Sequence, residues 1–188
     1  MQGETRAARI TRRRFGEGLT PDSAAQAWAG LWLKALLAQD GSATLLCETV
    51  VGGPVRLDVS FQEIVDEAPA EVVARLGAGP AIERQVCLSH QGEAMMDNLS
   101  FVALERLDPE LRRLLEQGEI PIGHLLQNRL ARKHAMETPD SVLQRIWARC
   151  GLPDARAARS YVFEIEGGAE MWITEVYRDG MMKGLPRG

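Results

Sequence analysis

The chain has 188 residues, 45% of them apolar and 26% charged, which fits one globular domain large enough to fold without a disulfide or metal staple. Cys47, Cys87 and Cys150 form neither an even set nor a Cys-x-x-Cys pair, so no disulfide framework is expected and a reducing, cytoplasmic setting is; no run approaches the roughly 20 apolar residues of a membrane helix. The net charge of −4 is uneven, because Arg6, Arg9, Arg12, Arg13 and Arg14 crowd the first fourteen residues and leave an acidic remainder. Residues 1–19 read as a basic arm, solvated or ion-paired to its own domain, and residues 20–188 as that single domain.

Thr20-Pro21-Asp22 announces a first helix, with Asp22 or Thr20 as its cap and Ala24, Trp28, Leu31, Trp32, Ala35 and Leu36 at helical spacing up to about Gln39. Asp40-Gly41-Ser42 breaks it, and Ser42 is placed to cap a shorter helix through Leu45 and Leu46 that ends before Gly52-Gly53-Pro54. From Val55 to Phe61 apolar and polar residues alternate, the pattern of a half-buried strand. Two apolar runs between Ala81 and Leu104 flank His90-Gln91-Gly92-Glu93 and predict an antiparallel hairpin. Asp108-Pro109-Glu110 starts a helix that stops at Gly118, Pro121 opens another through Leu125, Leu126 and Leu130, and Thr138-Pro139-Asp140 starts a third that closes at Gly151. Strands at about 159–166 and 169–178 meet at Gly167-Gly168, a favourable two-residue turn. Helices, hairpin, helices, hairpin in that order predict an α+β fold, an antiparallel sheet with flanking helices.

Two residues break these patterns. Arg84 shares the apolar face of its strand with Ile82, Val86 and Leu88, opposite Glu83, Gln85, Cys87 and Ser89. A guanidinium keeps its charge at neutral pH, and burying it alone costs several kcal/mol in order of magnitude, so it calls for a carboxylate partner, a bound anion, or both. In the final strand Glu175 shares a face with Met171, Ile173 and Tyr177 and looks inward, a candidate acid or base whose pKa depends on whether Arg84 is near. Two junctions, Gly41-Ser42-Ala43-Thr44 and Ile120-Pro121-Ile122-Gly123, present free backbone N–H groups at helix starts, where carboxylates bind well. His90, His124 and His134 have no ligand spacing, so no metal is expected, and the nucleotide-binding and nucleophile-elbow motifs are absent.

The order of the motifs carries more than any one of them. Leu37 to Thr44 (LAQDGSAT), Ile82 to Glu93 (IERQVCLSHQGE), Gly118 to Leu126 (GEIPIGHLL) and Arg159 to Tyr177 (RSYVFEIEGGAEMWITEVY) together resemble the chorismate pyruvate-lyase family. The resemblance implies a monomeric chorismate lyase-like fold and a carbon–oxygen lyase that splits chorismate into 4-hydroxybenzoate and pyruvate without a cofactor. It implies that Arg84 binds the ring carboxylate, that Glu175 handles the hydroxyl end and the proton, and that backbone N–H groups at Ala43 and Ile122 assist, with Gly123 beside them. The sequence departs from the family at Asp97-Asn98, where small residues usually flank the pocket; Asn98 is therefore included among the substrate contacts.

The first expectation is thus a lyase acting on chorismate or a close cyclohexadiene or benzoate relative, with Arg84 and Glu175 catalytic. The second is a non-catalytic binder or effector sensor for a small aromatic carboxylic acid, built on the same pocket. Neither nucleic acid nor membrane is expected as a partner, since the residues before residue 20 are too few for a winged-helix DNA reader.

Overall fold

A computed structural model describes residues 10–118, 120–126 and 129–183; Arg6 and Arg9 of the basic arm lie outside the described residues. The two longest pairings set the frame. Strands β2 (Ala81–His90) and β3 (Glu93–Ala103) form the expected hairpin, turned by Gln91 and Gly92, whose φ values of 50° and 78° match the right-handed twist of the strands they join. Strands β5 (Ala158–Ile165) and β6 (Glu170–Tyr177) form the second, turned at Gly167-Gly168 with both φ values positive.

Strand β6 pairs antiparallel with β3, joining the hairpins at the centre of the sheet. Strand β1 (Arg56–Val65) adds beside β2 and strand β4 (Ala131–Met136) beside β5, giving the antiparallel order β1-β2-β3-β6-β5-β4. The expectation of an α+β fold with an antiparallel sheet and flanking helices is met, and the arrangement fits the chorismate lyase-like fold.

Helices cover both faces, and this explains why β2 is buried from Ala81 to Ser89 and β6 along its whole length. On one face α6 (Asp140–Cys150) lays Val142, Leu143 and Ile146 into the core cluster that contains Phe101, Val162 and Trp172. On the other, α4 (Pro109–Gln117) and α5 (Ile122–Leu125) contribute to a second cluster, in which Leu111, Leu115 and Leu126 pack with Ile82, Val102, Met171 and Ile173. Helices α1 (Ala24–Ala38) and α2 (Ala43–Val51) add Leu36 and Cys47, both fully buried, to the first cluster.

Several local expectations change. Ser23, rather than Thr20 or Asp22, caps α1 by accepting a hydrogen bond from the Gln26 amide, and Asp22 adopts a positive φ of 59°. The helix opened by Pro121 ends at Leu125; Leu130 is exposed, and the next six residues form β4, whose charged sequence ARKHAM hides the alternation that marks a strand. Helix α3 (Ala70–Leu76) has no counterpart in the sequence reading. The polar side of β2 is not solvated: Glu83 is fully buried and is held by Arg145 and Arg149 from α6, 2.5 and 2.7 Å away.

Residues 10–15 run against this framework. Thr11 bridges Glu93 in parallel, Arg12 reaches Asp97 at 3.1 Å, and Arg13 meets Glu93 and Asp179. Asp97 faces α6 together with the fully buried Arg178, whose Nε lies 2.7 Å from its carboxylate. Removing one member of a buried charge pair leaves the other uncompensated. Asp97→Ala is therefore expected to lower unfolding free energy by about 3–5 kcal/mol, measured as a reduced midpoint in urea.

Candidate functional site

One cavity of about 330 Å³ opens between the sheet and the two loop-to-helix junctions, and it brings together every residue the sequence marked: Arg84, Asn98 and Glu175 from the strands, Ala43, Ile122 and Gly123 from the helix starts. The strands place the first three by register. Arg84 lies opposite Ser100, which lies opposite Ile173, and Asn98 lies opposite both Val86 and Glu175. Arg84 and Glu175 are thus two strands apart and two residues out of line, about 12 Å between Cα atoms at ordinary strand spacing and rise. Leu57, Val86, Leu88, Met96 and Ile173 supply apolar wall between them.

The junctions close the opposite wall. Ser42 caps α2 through the Leu45 amide, and Gly123 fits against the Ser42 and Thr44 hydroxyls so closely that a Cβ would come within 2.8 and 2.9 Å of them. Glycine is favoured here by space, since a side chain would have to displace those hydroxyls, one of them the cap of α2, or move α5 away from α2.

Arg84 is 1% exposed and, among the described residues, has no carboxylate within ion-pair range. Its two terminal nitrogens donate to the carbonyls of Gly118 (2.8 Å) and Ile120 (3.2 Å). Gly118 ends α4 in the left-handed conformation, so the guanidinium sits at the negative end of that helix and is oriented by it. Burial pulls its pKa below the ordinary arginine value. The Nε hydrogen is buried without a partner. The internal Arg–carboxylate pair considered from sequence is therefore not formed: the arginine is fixed by carbonyls and keeps its charge uncompensated.

Glu175 has the opposite situation. One of its oxygens accepts from Tyr161 at 2.6 Å, and the other from Arg159 Nε at 2.7 Å and from Tyr177 at 3.3 Å. Arg159 also donates to the Gln39 and Leu37 carbonyls, which fixes it against the end of α1. Burial opposes the Arg159 charge, but Glu175 together with Tyr177 and Tyr161 outweighs it and raises the pKa above the ordinary arginine value. Burial, reinforced by the Glu175 charge, also pushes both tyrosines up. The sequence signal for Arg159 was lost because it sits at the start of its strand among alternating residues, with nothing local to show that Glu175 is its cross-strand partner.

Besides Arg84, the cavity is lined by the cations Lys133 and Arg129. Lys133 on β4 points its Nζ over the Tyr161 ring, 4.4 Å from the centroid, and donates to the Gly41 carbonyl at 2.6 Å. Burial lowers its pKa from the ordinary lysine value. Arg129, also at the cavity, is paired with Asp108 at 2.6 Å. Among the described residues no group of histidine, cysteine and acidic side chains could hold a metal ion, and no helix is long and apolar enough to cross a membrane.

No family model matches the chain, and no curated protein matches it. Solved structures do. PhnF from Mycobacterium smegmatis is 17% identical over 75% of this chain and 65% of its own, with a TM-score of 0.49. Its effector domain alone is 17% identical over 73% of this chain and 88% of its own, with a TM-score of 0.44. A GntR-family transcriptional regulator from Bacillus cereus is 12% identical over 65% and 90%, with a TM-score of 0.42. The chain spans less than two thirds of the PhnF chain it matches.

These neighbours are a regulator and an effector domain rather than lyases, and the expectation of a carbon–oxygen lyase producing pyruvate and 4-hydroxybenzoate is corrected on that finding. The geometry supplies a physical reason. A carboxylate that shuttles a proton needs a free lone pair and a weak hold on its charged form, whereas Glu175 is ion-paired to Arg159 and accepts from two phenols.

The same network has a measurable signature. Tyr161 and Tyr177 are the only tyrosines, and both are held neutral beyond their ordinary value of about 10. A group whose folded pKa is raised stabilises the fold fully below its unfolded pKa and loses that contribution as pH rises above it. Stability should therefore fall above about pH 10, and tyrosinate absorbance should appear only together with unfolding; ionisation of either ring in the folded protein would contradict the arrangement.

Proposed function

We propose that this domain is a non-catalytic binder of a small aromatic carboxylic acid, held in the cavity between the sheet and the starts of α2 and α5. The observation that carries the reading is Arg84: a buried guanidinium, oriented by two carbonyls, uncompensated by any described carboxylate, and lining a cavity with apolar walls. Such a group is stable in a folded protein when an anion completes it, and a planar carboxylate matches the guanidinium fork. A cavity of about 330 Å³ is at the lower end of ligand sites and suits one aromatic ring with its substituents.

The remaining parts fit binding better than turnover. Asn98 and Ser100 offer neutral hydrogen bonds on the floor, and the backbone N–H groups of Ala43 and Ile122 border the opposite wall. Glu175 and its partners brace that floor. The effector role for which the PhnF domain is described is the kind of role this geometry serves: ligand recognition in a mostly preformed pocket.

The test is direct binding. Calorimetric titration with benzoate or 4-hydroxybenzoate should show a saturable one-to-one complex from which the ligand is recovered unchanged. Arg84→Met should weaken it at least about a hundredfold, the loss expected when a charge-assisted bidentate contact of about 3 kcal/mol is removed. Binding that survives Arg84→Met undiminished would place the ligand elsewhere and end the reading.

A further inference from the structure

Glu175 leaves an unanswered question about the far end of the ligand, because its oxygens are already engaged by Arg159, Tyr161 and Tyr177. The cavity nevertheless contains a second cation. Lys133 presents its ammonium to the interior from the edge strand on the opposite side of the sheet from Arg84, and among the described residues no carboxylate lies within ion-pair range of it. One of its hydrogens is given to the Gly41 carbonyl, and the ammonium rests over Tyr161 and, at 5.4 Å, over Phe163. That placement keeps the head group inside and leaves it hydrogens to donate.

From these positions we infer that Lys133 determines specificity, selecting ligands that carry a second acidic group at the end remote from the carboxylate on Arg84. The inference rests on the binding reading above and deepens it. Strands β2 and β4 are four positions apart in the sheet, about 19 Å at ordinary strand spacing, and Arg84 and Lys133 line the one cavity from those two strands. A benzene ring with acid groups on opposite carbons carries its charges at opposite ends, as the cavity carries these two cations. The amides of Ala43 and Thr44 start α2 beside Gly41 and add their dipoles to the same end of the cavity. Asp40, exposed at the rim, and Glu175, already paired, are the acidic groups that act on Lys133, and they weaken its attraction for a second negative charge.

Calorimetry with benzoate and with terephthalate, its para-dicarboxylate counterpart, tests this. The unaltered protein should bind terephthalate at least about tenfold more tightly, the affinity equivalent of one charge-assisted hydrogen bond. Lys133→Met keeps the aliphatic stem against Tyr161; it should abolish the preference by weakening terephthalate at least about tenfold more than benzoate, and Lys133→Arg should restore most of it. Equal binding of the two acids by the unaltered protein, a preference that persists in Lys133→Met, or a loss of benzoate binding equal to that of terephthalate would each overturn the inference and leave the binding reading standing. Failure of both acids to bind the unaltered protein would remove that reading, and this inference with it.

Discussion

The pairing of Glu175 with Arg159 is the interaction on which the site depends. Each charge is largely removed from solvent, and each would be expensive alone; together with two phenols they form a network in which the carboxylate accepts three hydrogen bonds. Because Arg159 also holds the carbonyls at the end of α1, and Tyr177 receives a hydrogen bond from Gln39, the network fastens the α1–α2 corner to strands β5 and β6. That corner carries Gly41, Ser42 and Ala43, so the cavity wall inherits its position from an ion pair on the floor.

Arg84 follows a different principle. Its charge is satisfied by the carbonyl dipoles at the end of α4, which orient the guanidinium but do not neutralise it. Two buried arginines on one sheet face thus have opposite characters, one neutralised and structural, one oriented and available. A cavity bounded by Arg84 at one end acquires a direction: an acid group is drawn to that end, while at the other end Glu175 is offset by Arg159 and the remaining charge is that of Lys133.

The inward-facing charges were legible because they interrupt an apolar alternation, which only a strand in a two-sided core makes conspicuous. Arg84 stood out for that reason, and the hairpin turns, the Ser42 and Asp108 caps and the glycine helix ends were readable from local chemistry alone. What could not be read was pairing across distance. Nothing near Glu175 names Arg159, nothing near Asp97 names Arg178, and Glu83 reads as solvent-facing until α6 is laid over it. Strand β4 was missed because an edge strand needs no apolar alternation and advertises itself instead as a charged loop; Lys133 went with it. The resemblance to lyases pointed to residues that do line one cavity, Arg84, Asn98 and Glu175 among them, but not to the Arg159 and tyrosine contacts that hold Glu175.

Gly123 gives the cavity its aperture by what it lacks. With no side chain, α5 lies directly on the hydroxyls of Ser42 and Thr44, and the two helix starts interlock at a separation less than a methyl group would need. The two walls can then come no nearer, so the narrowest width of the rim on this side is set by backbone meeting two hydroxyls, and a methyl group at residue 123 would hold it wider.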